Sequence, residues 1–170
     1  MRRFYDRGLT TAISEAKSED ITSREASDLE LLYYCKIIEG LNVGFGGRYQ
    51  TELTRSFAID APSTRYYLLF AIRYFFPSPI DEFPGLYVFL GGNYGYGSSS
   101  TKSAAAVASG VAQIFPGVSG GVEYYFQSGF ALNAEAGVEA ISIREQFPNG
   151  ETQGTNQVNS RMGLGISAYF

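Results

Sequence analysis

The chain has 170 residues, enough for one domain, and its 45% hydrophobic and 15% aromatic content excludes a disordered chain. Its 13 basic and 17 acidic residues give a net charge of -4, which disfavours nucleic-acid binding, since that function needs a basic face. With no histidine and one cysteine, Cys35, the chain lacks histidine-based triads, histidine metal sites and an intrachain disulfide framework. No apolar run reaches the ~18 residues that a transmembrane helix needs, which leaves a soluble protein or a membrane β-barrel.

Alternation of apolar and polar residues with a period of two predicts eight β-strands. We place them near residues 4–14, 28–37, 41–52, 65–76, 86–96, 118–126, 130–140 and 161–170. The pattern is clearest from Phe130 to Ala140, where every even-numbered residue is apolar and the odd-numbered ones include Asn133, Glu135 and Glu139. It is weakest in the first strand.

The connections between these strands alternate in length. Short ones are predicted at 38–40, 77–85 and 127–129, and long polar ones at 15–27, 56–64, 98–114 and 146–157. Because the strand count is even, the short turns fall at one end together with both termini, and the long loops fall at the other end. The small-residue stretch 101–114 is expected to be a loop, with a short helix or extended strand ends as alternatives.

The composition of the polar face indicates which face is inside. It carries many glycines and tyrosines beside isolated charges, whereas a face in water usually carries Lys, Glu and Thr, because glycine weakens a strand. The apolar face carries aromatic residues near strand ends, as an aromatic girdle at a membrane interface would. We therefore expect an all-β fold with one domain over 1–170, an eight-stranded antiparallel up-and-down transmembrane β-barrel. The alternative is a soluble β-barrel or β-sandwich whose apolar face is the core.

The last eight residues, Gly163 to Phe170, resemble the C-terminal assembly signal of bacterial outer-membrane proteins. Gly165, Ala168 and the terminal Phe170 lie at matching positions, while Gly163 stands where that family usually has a polar residue. In architecture, the whole chain resembles the small eight-stranded barrels of the OmpA/OmpX type.

This resemblance implies a location in the outer membrane of Gram-negative bacteria, with both termini and the short turns in the periplasm and the long loops outside the cell. It implies outer-membrane lipid, periplasmic chaperones and the barrel-assembly machinery as partners, and a monomeric barrel. The missing leader peptide predicts a mature chain or a start that lies upstream.

The predicted lumen contains both acidic and basic residues. They are Glu30, Lys36, Arg48, Glu52, Arg73, Glu123, Glu135, Glu139 and Arg161. Unpaired charges in so narrow a space would be costly, so we expect an ion-pair network in which Arg161 bridges Glu135 or Glu139. Such a network is either a structural plug that sets strand register or, as the functional alternative, a narrow ion path or a switchable gate.

No residue pattern indicates catalysis, a cofactor or a metal site. Known enzymes of this architecture rely on histidine, which is absent, and the stretch from Gly117 to Gly121 lacks the spacing of a nucleophile elbow. We expect a structural or surface-interaction role without catalysis. The alternatives are a small channel for ions or small molecules and a soluble ligand-binding barrel.

Overall fold

The structure is a computed structural model. It describes the backbone of residues 7–18, 23–55, 60–77, 85–102 and 107–170, and the side chains of 27–53, 62–76, 85–102 and 107–170. The described residues form eight strands: β1 (Arg7–Ser18), β2 (Ser23–Ile38), β3 (Leu41–Arg55), β4 (Asp60–Pro77), β5 (Leu86–Lys102), β6 (Val107–Gln127), β7 (Phe130–Gln146) and β8 (Thr152–Tyr169). Within these ranges no helix is long and apolar enough to cross a membrane.

Each strand pairs antiparallel with its neighbours in chain order. The sheet closes into a barrel because β1 also pairs with β8, from Gly8 opposite Tyr169 to Glu15 opposite Met162. The predicted all-β, eight-stranded, up-and-down architecture is confirmed.

The turns that contain Gly40 and Gly129 mark one end of the barrel, which we call the turn end. Gly40 lies in the β2–β3 turn and Gly129 in the β6–β7 turn, and their φ angles of 79° and 85° favour glycine, because other L-residues rarely adopt them. Gly150 has a φ angle of 86° in the β7–β8 turn at the other end of the barrel. Tyr169 donates a backbone hydrogen bond to Gly129, so the last strand also ends at the turn end. The opposite end, where β1 joins β2 and β7 joins β8, is called the loop end.

The strands are longer than predicted at the loop end, so the long loops expected from the sequence are wrong in extent. Strand structure covers residues 15–18, 23–27, 60–64, 98–102, 107–114 and 152–157. In the described part of 101–114 the loop and helix expectations are wrong, and the strand-end alternative is right. The predicted residues 4–6 of the first strand, the turn residues 78–84, and the loop residues 19–22, 56–59 and 103–106 lie outside the described ranges.

An irregularity in β6 changes which residues face the lumen. The pairing of β6 with β7 shifts between Ile114 and Val118, a segment that contains Pro116, which has no N–H to donate to a sheet ladder. Odd-numbered residues such as Glu123 are buried on one side of this bulge, whereas Ala112 and Ile114 are buried on the other side.

The outward face of the barrel is apolar. Leu68, Met162 and Leu164 are each 72% exposed, and they belong to a belt of exposed hydrophobic residues that runs around the strands. Aromatic pairs lie toward its two margins, such as Tyr49 with Tyr66 at a centroid distance of 5.0 Å. A soluble barrel would need this face inside, so the observed orientation is the reverse of the one that the soluble alternative requires.

Candidate functional site

The lumen is the candidate site, because nearly all of the buried polar and charged side chains lie in it. Toward its turn end it holds aromatic rings, including Phe75 packed on Phe89 at a centroid distance of 5.5 Å and Tyr125 on Tyr169 at 5.3 Å. Farther along the barrel axis lies a group of charged residues, which we call the ionic network. Its six members are Glu30, Arg48, Arg73, Glu135, Glu139 and Arg161.

Arg48 on β3 holds two carboxylates. Its Nη1 donates to Glu139 Oε1 and Oε2 at 2.8 and 2.9 Å, across 91 residues of sequence. Its Nη2 and Nε donate to Glu30 Oε2 at 2.9 and 3.1 Å. The Arg48 side chain is fully buried, so these bonds satisfy a guanidinium that water does not reach.

Arg161 on β8 extends the network. It donates from Nη1 to Glu30 at 3.0 Å and from Nη2 to Glu135 at 2.9 Å. Arg73 on β4 also donates to Glu135, and its guanidinium lies over the rings of Tyr34 and Phe89, 4.9 and 4.6 Å from their centroids. The network therefore joins five strands through three acids and three bases, which balance in charge.

Three of the nine charged residues predicted for the lumen lie outside this network. Glu52 pairs with Arg65 at 2.6 Å toward the loop end. Glu123 is fully buried toward the turn end. Lys36 lies nearer the turn end of β2 than Glu30 and is half-buried.

Glu123 has neutral donors around it. Tyr169 donates to its Oε1 at 2.6 Å and Ser167 to its Oε2 at 3.2 Å, while Asn133 donates to Ser167 at 2.9 Å. Ser167 and Tyr169 belong to β8, Asn133 to β7 and Glu123 to β6. This cluster therefore connects three neighbouring strands through side chains, in addition to their backbone pairing.

An apolar layer lies on the loop side of the ionic network. In one row of the sheet Leu69 pairs with Gly95, Gly95 with Ile114, and Ile114 with Ile141. A Cβ at Gly95 would lie 2.7 Å from Leu69 Cδ2, so glycine leaves the room that this packing needs. Ile143 adds to the same cluster. The sequence predicted a polar interior, whereas the structure has both polar and apolar layers inside the barrel.

Three charged side chains inside the barrel were not predicted from the sequence: Asp28 and Arg65, which are buried, and Glu145, which is half-buried. Arg65 alternates with Arg73 on the same face of β4, so the period of two would have identified it. Glu145, which accepts hydrogen bonds from Ser99 at 2.6 Å and Thr101 at 2.8 Å, lies beyond Ile141 and Ile143. Because those two apolar residues also face the lumen, they conceal the alternation that leads from Glu139 to Glu145.

The packed lumen leaves little open space at the ionic network. A cavity of about 10 Å³ lies among the network residues Glu30, Arg73, Glu135 and Arg161. That volume is near the minimum for one water molecule. Among the described residues no group of His, Cys, Asp and Glu is arranged to hold a metal ion.

The three residues of the C-terminal resemblance lie on or directly after β8. Gly165 pairs with Ala12 of β1 and with Asn133 of β7, at the seam where the barrel closes. Ala168 pairs with Phe130. The terminal Phe170 is 70% exposed.

No family model matches the sequence, and no curated protein matches it. The structure is similar to that of Neisserial surface protein A (NspA), with a TM-score of 0.65 and 16% identity over 97% of each chain. The fold is that of the small outer-membrane β-barrels. The N-terminal β-barrel domain of Pseudomonas aeruginosa OprF is also similar, with a TM-score of 0.51 and 11% identity over 99% of this chain and 100% of that one.

Proposed function

We propose that this chain is an outer-membrane β-barrel with a closed lumen, which acts as a surface scaffold and not as an enzyme or an open channel. The observation that carries the proposal is the occupied interior. The ionic network and the apolar layer follow one another along the axis, and Arg48, Leu69 and Ile114 are almost completely buried within them. A solute would have to break buried ion pairs and then displace packed apolar side chains.

The exterior supports a membrane location. Monomeric soluble proteins rarely expose contiguous apolar patches larger than a few hundred Å², and here a belt of exposed hydrophobic residues surrounds a closed barrel. All described strands pair with neighbours through the belt, so that few backbone groups need water.

We further propose that the turn end and both termini face the periplasm and that the loop end faces the outside of the cell. The polar strand ends support this orientation. On β8 the residues from Thr152 to Asn156 are polar or glycine and, apart from the half-buried Thr155, exposed, so this part of the barrel extends from the apolar belt into water. In this orientation, periplasmic chaperones and the barrel-assembly machinery would deliver a monomeric barrel to the membrane, with Phe170 in the assembly signal.

A small ion channel is the second candidate, because the ionic network lies across the lumen and a change in its ion pairs would open a polar path. Planar-bilayer recording distinguishes the two functions. The purified barrel, refolded from urea, is inserted into a lipid bilayer, and a porin inserted in the same way is the positive control. We expect no stable discrete openings from the barrel. Repeated unitary steps would refute the closed lumen and establish the channel.

The orientation is tested with cysteines in a Cys35→Ser background. Asn156→Cys places a thiol at the loop end, and Ser128→Cys is the matched variant at the turn end. We expect a membrane-impermeant maleimide to label the first in intact cells and the second only after the outer membrane is permeabilised. The opposite pattern would reverse the orientation and leave the barrel itself unaffected.

A further inference from the structure

A buried hydroxyl beside the ionic network has no partner in the protein. The network surrounds a cavity of about 10 Å³, which Tyr34 of β2 also lines. Tyr34 is only 3% exposed, and among the described residues its hydroxyl has no hydrogen-bond partner. All the residues that line the cavity belong to the described part of the chain. Because a buried hydroxyl that loses its bonds to water lowers stability unless another group replaces them, the hydroxyl of Tyr34 indicates a ligand in this cavity.

The ring of Tyr34 extends along one row of the sheet toward the cavity. Tyr34 is paired with Gly44, and a Cβ at Gly44 would lie 2.6 Å from Cε1 and 3.0 Å from Cζ of the tyrosine. The ring therefore lies across Gly44, where a larger residue would collide with it. The next residues in this row are Ala71 and Asn93, and both line the cavity. The hydroxyl is attached to Cζ, so it is directed toward the cavity.

Glu30 supplies an acceptor beside the same cavity. The three hydrogen bonds that Glu30 accepts from Arg48 and Arg161 all end on Oε2. Oε1 accepts none of them, although the residue is only 4% exposed. Since each carboxylate oxygen has lone pairs for hydrogen bonds, Oε1 can accept from a further donor. A donor on Tyr34 and an acceptor on Glu30 therefore lie beside one cavity without a direct bond between them.

The size and the charge of the site select its ligand. The cavity has about the volume that one water molecule needs. The three acids and three bases of the ionic network balance, so a bound ion would place an uncompensated charge in a buried site. A water molecule is neutral and can accept one hydrogen bond while it donates others. Asn93 and Ser119, which also line the cavity, offer it further polar groups.

We infer that the lumen binds one structural water molecule, which accepts a hydrogen bond from Tyr34 and donates one to Oε1 of Glu30. This water connects the aromatic side chains toward the turn end with the ionic network. The inference goes beyond the proposed function, because the site depends on the network and not on whether the barrel acts as a scaffold or as a channel.

A crystal structure of the refolded full chain, at a resolution that shows ordered water, tests the site directly. We expect one water molecule within hydrogen-bond distance of both Tyr34 Oη and Glu30 Oε1. A direct hydrogen bond between these two atoms, or no density between them, would overturn the inference. A bound ion would also overturn it, and an ion would give an anomalous signal in crystals grown with rubidium bromide. A file of waters that continues from this site to an end of the barrel would support the site but refute the closed lumen.

A Tyr34→Phe variant gives an independent test, because the two alternatives predict effects of opposite sign. The variant removes the hydroxyl and keeps the ring over which the Arg73 guanidinium lies. If the hydroxyl binds water, its loss should increase the unfolding equilibrium constant in urea titration about 2- to 10-fold. If the hydroxyl has no partner, its removal should leave this constant unchanged or decrease it, and that result would overturn the inference.

Tyr124→Phe is the matched control, because Tyr124 lies on the exposed outward face and should tolerate the same change without effect. A mobility shift between cold and boiled samples in SDS gels verifies the fold of each variant. A wild type without this shift would refute the proposed barrel itself. If the Tyr34→Phe variant does not fold, the crystal structure of the wild type decides.

Discussion

Arg48 is expected to be the most important residue of the ionic network for stability. Among the described residues, Arg48 is the arginine that forms an ion pair with Glu139, which otherwise accepts a hydrogen bond from Asn93 at 3.3 Å. Replacing Arg48 by methionine would leave this carboxylate buried without its cationic partner. Loss of one partner of a buried ion pair is strongly destabilising, so Arg48→Met is expected to lower the free energy of unfolding by about 3–5 kcal/mol.

Arg161 is the matched control, because it also bridges two carboxylates. Both of its partners keep a second arginine, since Glu30 still accepts from Arg48 and Glu135 from Arg73. Arg161→Met is therefore expected to lower the free energy of unfolding by a smaller amount, about 1–3 kcal/mol, which is the range for the loss of a hydrogen bond to a charged group. The difference between the two variants tests the connectivity of the network and not merely its charge.

Urea titration of the barrel in phospholipid vesicles measures both values, provided that folding and unfolding curves coincide. Arg48→Met combined with Glu139→Gln removes both charges and should recover part of the loss, with a coupling energy of about 0.5–3 kcal/mol. If Arg48→Met were no more destabilising than Arg161→Met, or if the double variant equalled the sum of its single variants, the described connectivity would be refuted.

Three further predictions concern the belt, the Glu123 cluster and the terminal residue. Ala136→Arg, on the outward face of β7, should lower the free energy of unfolding by about 2–4 kcal/mol in the same titration. Ala136→Leu should leave it nearly unchanged, and equal effects of the two variants would contradict a lipid-facing position. Tyr169→Phe removes the hydroxyl that donates a 2.6 Å hydrogen bond to buried Glu123, and it should lower the free energy of unfolding by about 1–3 kcal/mol. Tyr124→Phe on the outward face is the control and should not change this free energy measurably. Deleting Phe170 should reduce insertion in cells more than refolding in vitro, and equal insertion with and without it would argue against an assembly role.

The strands and their faces could be predicted because both depend on local order. Side chains alternate between the faces of a strand, so the alternation from Phe130 to Ala140 identified β7 and its outward face without knowledge of its neighbours. Alternation gives no signal where both faces of a strand are polar. From Thr152 to Asn156 no apolar residue marks the alternation, and the strand was taken for a loop.

The partners inside the lumen could not be predicted in the same way, because they depend on the relative positions of distant strands. Arg48 meets Glu139 across 91 residues, an encounter that closure of the barrel and the offset between its strands produce. The bulge near Pro116 places Ile114 and Ala112 in the lumen, where they complete an apolar layer.

The sequence by itself determined that this protein consists of β-strands with one apolar and one polar face, since a period of two is visible in neighbouring residues. Only the tertiary structure decided that the apolar face is outside, which charges pair and where the lumen is closed. These features depend on strand register and closure, and side chains far apart in the chain meet only when the whole sheet has formed.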